Sequence, residues 1–425
     1  MFEKGMLKRR RVFITGLGIV TPLGLGVRHN WDCLINGMSG IKDISGIFND
    51  CPISIAGKVS NDDIEEIKKA FPNESKSEGE IRTLFALWSA QEALKDANLF
   101  NTDLSKVSLS FATGLAINNL RDLSRWLKGK DFDYETFYRE FVSVSNDSIM
   151  KNNSHRPSAL IARKFGLEGK NLTTSTACAS ATQAIGIAYR SIQRGESEIV
   201  LTGAAESMIN PVGLIFFVLL GASSNSKELT ACRPFDKKRS GLVMGEGSAF
   251  LVLESEESAI KRGAPIICEC AGYGSSIDAY QVTAPDPEGK GAYLSMKRSI
   301  EDSNLNITDI DYINAHGTST KLNDIAETIA IKELFKAHAY KLKISSNKSS
   351  IGHLLSASGA PEAIFTSLAV KNDLVPPTLN LNNTDTKCDL DYTPNKAVKH
   401  PIKCALSNSF GFGGQNGTIS LKKLL

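Results

Sequence analysis

Two stretches constrain the fold more than any others: "RRVFITGLGIVTPLG" near the N-terminus and "APIICECAGYGSSID" past the midpoint. Each begins as an apolar, strand-like run and continues into closely spaced glycines. The pattern predicts a strand from Val12 to Thr15 ending in a glycine turn, and a second such unit near Gly272. Strand-like and helix-like runs alternate after both. In the first series "RTLFALWSAQEALKDANL" and "RDLSRWLKG" read as helices and "SEIVLTGAAES" as a strand. The second runs through helix "GAYLSMKRSIEDSNL", strand "IDYINAHGTST", helix "NDIAETIAIKELF", strand "KISSNKS" and helix "SASGAPEAIFTSLAVKN". This alternation predicts α/β layers with mostly parallel strands. Two matching openings suggest an internal duplication. A dinucleotide reading of Gly16-x-Gly18 finds Thr21 where a third glycine belongs, followed by Pro22, which disfavours a helix there.

The composition, 42% hydrophobic and 22% charged over 425 residues, supplies a large core. A net charge of +3 is too small to argue for nucleic acid, and no run reaches the ~18 apolar residues of a membrane span. The greasiest stretch, "VGLIFFVLLGA", reads as buried core or pocket lining. The eight cysteines are scattered, as expected of free thiols in a reducing compartment. The opening "MFEKGMLKRRR", with five basic residues and one acid, reads as a transit-segment stub or a charged tail.

Chemistry-bearing residues gather just after strands. In "NLTTSTACASATQAIGIAYRSIQRG" Cys178 stands where a strand turns into a helix, between small residues. Unpaired N–H groups and the helix dipole there lower a thiol pKa and stabilise an adjacent anion. A nucleophile and a packed structural thiol are both open readings. "NAHGTST" places His316 at a strand end; "SSNKSSIGHLLSASGA" places Lys348 and His353 in a turn entering a helix. "SNSFGFGGQNG" sets Phe410 and Phe412 among Gly411, Gly413 and Gly414, as a flexible gate or a tight turn. A thiol, two imidazoles and a loop of backbone donors together form an acyl-transfer set.

The motifs "VFITGLGIVTPLG", "STACAS", "GAAES", "FDKKRSGLVMGEG", "TAPDPEG", "NAHGTST", "NKSSIGHLLSASGA", "PPTLNL" and "NSFGFGG" span nearly the whole chain. With them the sequence resembles the β-ketoacyl-[acyl-carrier-protein] synthases of type II fatty acid synthesis, in look nearest the mitochondrial members, with bacterial members close by. The resemblance implies a thiolase-like fold, two similar halves (residues 10–266 and 267–425) in five α-β-α-β-α layers, as a homodimer. It implies decarboxylative condensation of an acyl thioester with malonyl-carrier, lengthening the chain by two carbons.

Roles follow residue by residue. Cys178 matches the acyl-accepting nucleophile, and His316 and His353 the histidine pair. Lys348 matches a supporting lysine, expected to pair with Glu327. The N–H groups of Cys178 and Phe412 match the oxyanion hole, with Phe412 the gate as well. Thr318, Thr320, Phe410, Gly411, Gly413 and Gly414 match substrate-contacting positions. No cofactor is implied beyond a monovalent cation near Asn314, Glu362 and Asn408. The implied partner is acyl carrier protein; with Gly221 in place of the family's docking arginine, Lys68, Lys69, Arg121, Arg125, Lys128 and Lys130 are the basic residues that would compensate. The implied location is the mitochondrial matrix, or the bacterial cytoplasm. Four positions depart from the usual pattern: Ser240 replaces an aspartate, Lys321 a proline, Gln183 a histidine and Gly221 an arginine. A non-elongating partner subunit would lack Cys178, and a thiolase would need a second cysteine in the C-terminal glycine loop. A zinc site on Cys178, His316 and His353 is compatible with ligand type.

Overall fold

The computed structural model describes residues 9–48, 50–114, 125–140 and 153–424. Ten strands build its main sheet: β1 Val12–Thr21, β2 Ser108–Ala112, β3 Asn171–Thr174, β4 Ile199–Glu206, β5 Gly247–Ser255, β6 Cys268–Ile277, β7 Tyr312–Asn314, β8 Lys343–Ser345, β9 Cys404–Phe410 and β10 Gln415–Lys422. Their order is β8-β7-β9-β10-β6-β1-β5-β4-β2-β3, with the two-residue strand Gly24–Leu25 also pairing to β1. The helices that matter here are α1 Ile81–Asp96, α2 Arg156–Phe165, α3 Ser180–Gln193, α4 Pro211–Leu219, α5 Lys290–Asp302, α6 Lys321–Phe335 and α7 Gly359–Asn372.

The sheet order makes the duplication explicit. Outward from the antiparallel β1/β6 seam, each half runs antiparallel, antiparallel, parallel, parallel. The sheet is therefore mixed rather than mostly parallel, because the last two strands of each half (β4/β5 and β9/β10) form an antiparallel pair whose final strand returns beside the first, β1 or β6, and only the outer strands are joined in parallel. Helices α3 and α7 pack against each other between the two half-sheets, while α1 and α5 cover the outer faces. This is the five-layered thiolase-like arrangement.

The two glycine openings are not turns. Both β1 and β6 run straight through them. A Cβ at Gly16 or Gly18 would lie 2.4 Å from Ala93 O or 2.0 Å from Ser89 O of α1. At Gly272 or Gly274 it would lie 2.5 Å from Ser299 O or 2.1 Å from Ser295 O of α5. The glycines let a helix rest directly on the strand. Each strand also carries a register shift at the first glycine. The amide that follows is bound by the acid ending the covering helix: Leu17 N–H donates to Asp96 (2.9 Å) and Tyr273 N–H to Asp302 (3.0 Å).

The basic N-terminal run is tied down where it is described. Arg9 pairs with Asp302, Arg10 with Glu198, and Arg11 with Glu256 and Glu269, so the tail clips the two halves together. The stretch "VGLIFFVLLGA" proves to be α4 and its exit turn. It buries Leu214 and Phe217 but leaves Ile215, Phe216 and Leu219 exposed. Of "RDLSRWLKG", residues 121–124 lie outside the described residues, and Leu127–Lys128 form a short strand rather than a helix.

Candidate active site

Cys178 follows β3 and immediately precedes the first turn of α3. The chain reverses through Ala177, whose φ of 48° is unusual for a residue with a side chain. Ser180 holds the turn: its hydroxyl accepts from Thr176 N–H (2.7 Å) and donates to Ala177 O (2.6 Å). The three remaining loops leave strands of the other half. His316 follows β7, Lys348 and His353 follow β8, and Gly411 and Phe412 follow β9. Cys178, His316, His353, Gly411 and Phe412 line one cavity, with Lys348 buried behind His316.

His353 Nε2 lies 3.1 Å from Cys178 Sγ. On its other nitrogen, Nδ1, the Leu355 N–H donates at 3.2 Å and the Ser358 hydroxyl lies at 2.7 Å. A backbone N–H can only donate, so we assign Nδ1 as acceptor and the ring proton to Nε2. Lys348 Nζ does the same for His316, sitting 3.3 Å from its Nδ1. The two rings meet edge to face, with centroids 5.4 Å apart. Burial, reinforced by the Lys348 charge, holds both imidazoles well below their ordinary pKa. Each is a neutral ring, and His353 turns its Nε2–H to the sulfur, with a nitrogen of His316 within 4.8 Å of it.

The thiol contradicts the expectation of a lowered pKa. Burial pushes it up to about 11, and Lys348 with the Phe412 and Cys178 amides offsets this only in part. The helix field and the facing N–H groups are present, but complete desolvation outweighs them. Those same two amides are backbone donors to the sulfur.

Glu327 does not pair with Lys348. Its carboxylate is occupied by the amides of His316 (2.9 Å) and Gly317 (2.8 Å) and by Asn408 Nδ2 (3.2 Å), so it shapes the His316 turn. Burial raises it to about 7. Lys348 instead ion-pairs with Glu362 in the first turn of α7. Both side chains are fully buried, and burial raises Glu362 to about 7 against the pull of Lys348. The motif placed Glu362 only as a cation neighbour. Its position 14 residues past Lys348 gives no periodic signal, because the pairing crosses from a loop to another helix. Ser358 and the Leu355 amide were likewise missed.

A cavity of about 440 Å³ leads from Cys178, His316 and His353 outward past Phe410, Gly411 and Phe412, and is lined by Thr318, Thr320, Ser240 and Gly221. The Thr318 and Thr320 hydroxyls lie 2.9 Å apart. Gly413 and Gly414 take φ of 74° and 70°, and the Phe412 ring packs on an apolar cluster with Met208, Phe217 and Leu355.

The Beta-ketoacyl synthase N-terminal domain model matches residues 9–259, and the C-terminal domain model matches residues 267–382. The chain belongs to the β-ketoacyl synthase family. It is a condensing enzyme, an acyltransferase. This synthase is 41% identical to a protein named as a mitochondrial 3-oxoacyl-[acyl-carrier-protein] synthase of Schizosaccharomyces pombe, over 98% of this chain and 100% of that one. It is 40% identical to 3-oxoacyl-[acyl-carrier-protein] synthase 2 of Synechocystis, over 98% and 99%. Among solved structures, a type II polyketide ketosynthase in complex with its acyl-carrier protein superposes with a TM-score of 0.88 at 31% identity, over 98% of this chain and 100% of that one. A β-ketoacyl synthase of Burkholderia phymatum gives 0.85 at 31%, with the same coverage.

The Sγ and imidazole nitrogens of the synthase lie within 4.8 Å of one another, a spacing that would suit a metal. The assigned tautomers turn N–H groups, not lone pairs, towards that point, and the Lys348 ammonium stands behind His316. The set fits oxygen acceptors on a substrate rather than zinc. Asn314 Oδ1 and Glu362 Oε2 are a different case: they are buried with no hydrogen-bond partner among the described residues. The Asn408 amide is already engaged by Thr418 and Glu327.

Proposed function

We propose that the synthase carries out decarboxylative condensation between an acyl thioester and malonyl-[acyl-carrier-protein], extending fatty acids by two carbons. The observation that carries this reading is the gathering of a thiol and two imidazoles held neutral, with donor atoms within 4.8 Å of one another, beside the Cys178 and Phe412 amides. In the first step Cys178 Sγ bonds to the acyl carbonyl carbon, and the thiol proton leaves with the departing carrier sulfur. In the second, the malonyl C–C bond breaks, carbon dioxide departs and the electron pair enters an enolate. Its oxygen receives the Nε2–H groups of both histidines. The enolate carbon then attacks the Cys178 thioester, whose oxygen develops charge against the Cys178 and Phe412 amides. Sulfur leaves and takes one proton from solvent.

Carrier docking draws on exposed Lys69 and Lys130, with Lys68, Arg125 and Lys128 beside them, although Lys68 pairs with Glu65 and Lys128 with Asp133. Arg121 lies outside the described residues. A homodimer is supported by β3, an edge strand exposing Leu172, whose unpaired side invites a second copy. The site needs no resident cofactor. A monovalent cation held by Asn314 Oδ1 and Glu362 Oε2 would neutralise part of the buried carboxylate and fix the Lys348 turn. The mitochondrial relative supports a matrix location, while the bacterial relatives keep the cytoplasmic alternative. No helix among the described residues is long and apolar enough to cross a membrane.

Intact mass spectrometry tests the reaction. Mixing with long-chain acyl-carrier adds one acyl mass to Cys178, and malonyl-carrier then removes it as a product two carbons longer. Loading should weaken with salt if basic residues guide the carrier. Acylation of Cys232 or Cys404 instead, or acyl-Cys178 unchanged by malonyl-carrier, defeats the proposal.

A further inference from the structure

The cavity above Cys178 has an outer rim as well as a base. Leu220, Gly221, Ser240, Lys321 and Leu322 line it, and Lys321 and Leu322 are solvent-exposed. Lys321 brings the cationic side chain to this lining; the two histidines at the base are neutral, and the one acidic lining residue among those described is Asp278. Asp278 is already engaged, accepting from Asn416 Nδ2 (2.7 Å) and Asp286 N–H (3.1 Å). No ion pair involves Lys321 among the described residues.

Its backbone is held even though its ammonium is free. Lys321 is the first residue of the 15-residue helix α6, capped by Thr320, whose hydroxyl accepts from Asn323 N–H at 3.3 Å. The Lys321 carbonyl accepts from the buried Arg239 guanidinium (3.4 Å). The helix N-terminus adds its partial positive charge at the same rim. The nearby Asp324 carboxylate is turned inward, bound by Thr318 N–H, Phe235 N–H and Arg239, and so does not compete for the ammonium.

We propose that Lys321 binds the phosphate of the thioester donor's phosphopantetheine arm at the cavity rim, while Thr318 and Thr320 face the arm's amides below. The proposal rests on the carrier-thioester reading of the site. It gives a role to one of the four positions where this chain departs from its motif, on the same rim that carries Gly221 in place of an arginine. A lysine at the entrance also selects donors that carry a phosphate over simple thioesters, independently of the protein surface that presents them.

The test compares acyl-pantetheine with acyl-4′-phosphopantetheine as small donors, following Cys178 acylation by intact mass in the wild-type chain, Lys321→Gln and Lys321→Arg. The wild type should prefer the phosphorylated donor by about tenfold or more, as a charge-assisted contact gives. Lys321→Gln should remove most of that preference through KM with little change in kcat, and Lys321→Arg should restore it. An unchanged preference in Lys321→Gln, or no preference in the wild type, overturns the assignment while leaving the condensing reaction intact. If neither donor acylates Cys178, while acyl-carrier also fails, the underlying reading falls and this proposal with it.

Discussion

Lys348 Nζ lies 3.3 Å from His316 Nδ1 while Glu362 holds the same ammonium from the other side. The pair makes a fully buried cation tolerable and gives His316 a fixed tautomer. Lys348→Met should therefore harm two things. It strands a buried carboxylate, costing about 3–5 kcal/mol, and frees the His316 ring, slowing carbon dioxide release by a factor of about 10². The double variant Lys348→Met with Glu362→Met should recover most of the stability in urea unfolding but none of the decarboxylation. Recovery of both would reduce the pair to a structural role.

Cys178 should behave as a protonated thiol at neutral pH. Its pKa is pushed up to about 11 by burial, so the rate of alkylation by iodoacetamide should keep rising past pH 9 and level off only near 11. The stability contribution has a definite sign. The folded state keeps this proton to higher pH than the unfolded chain, so the contribution is complete below about 9 and is lost as the pH climbs towards 11. Lys348→Met should slow alkylation at pH 8 further, because Lys348 pulls the thiol down. A plateau near pH 7 would mean the helix field wins after all.

The two histidines should separate the half-reactions. In both, a donor faces Nδ1 and leaves the ring proton on Nε2, and burial holds both neutral through the physiological range. His316→Ala or His353→Ala should slow malonyl-carrier decarboxylation by about 10² or more. Acyl transfer to Cys178 should largely survive, since its oxyanion is served by backbone amides. Rapid-quench assays of each step decide this; equal collapse of both steps in folded variants would break the division of labour.

That Cys178, His316, His353 and the glycine loop meet at one cavity was legible because each occupies a strand end followed by small residues, a local signal. The glycine openings at Gly16 and Gly272 were misread because a glycine pair looks the same in sequence whether the chain turns or a helix lies on it. The carbonyls of Ala93, Ser89, Ser299 and Ser295 that require those glycines are far away in the chain. The Lys348 partner was taken as Glu327 instead of Glu362 for a similar reason. Both acids sit on helices facing the site, and which one reaches Lys348 depends on how α6 and α7 pack, not on spacing. The thiol pKa was missed because desolvation is a property of the closed fold, whereas the helix start is visible in the chain.

The loop after β9 makes two glycine substitutions distinguishable. At Gly411, φ is −113°, open to any residue, but an added Cβ would lie 3.0 Å from Cys178 N and 3.2 Å from Ala179 N. Gly411→Ala should push the Phe412 amide off the oxyanion position and slow acyl transfer to Cys178 and the final condensation about 10²–10³-fold, while malonyl decarboxylation is largely spared. Gly413 has the opposite character: φ is 74°, yet the nearest contact to an added Cβ is the Gln415 side chain at 3.7 Å. Gly413→Val therefore meets backbone strain of about 1–2 kcal/mol rather than a clash, and it stiffens the segment carrying the Phe412 ring. If that ring must swing off the Met208–Phe217 cluster to admit an acyl chain, turnover of long acyl donors should fall while acetyl transfer is spared. Stopped-flow acylation with donors of increasing length reads the difference. Equal rates at every length in Gly413→Val would make the loop a static turn and leave Phe412 only its amide to contribute.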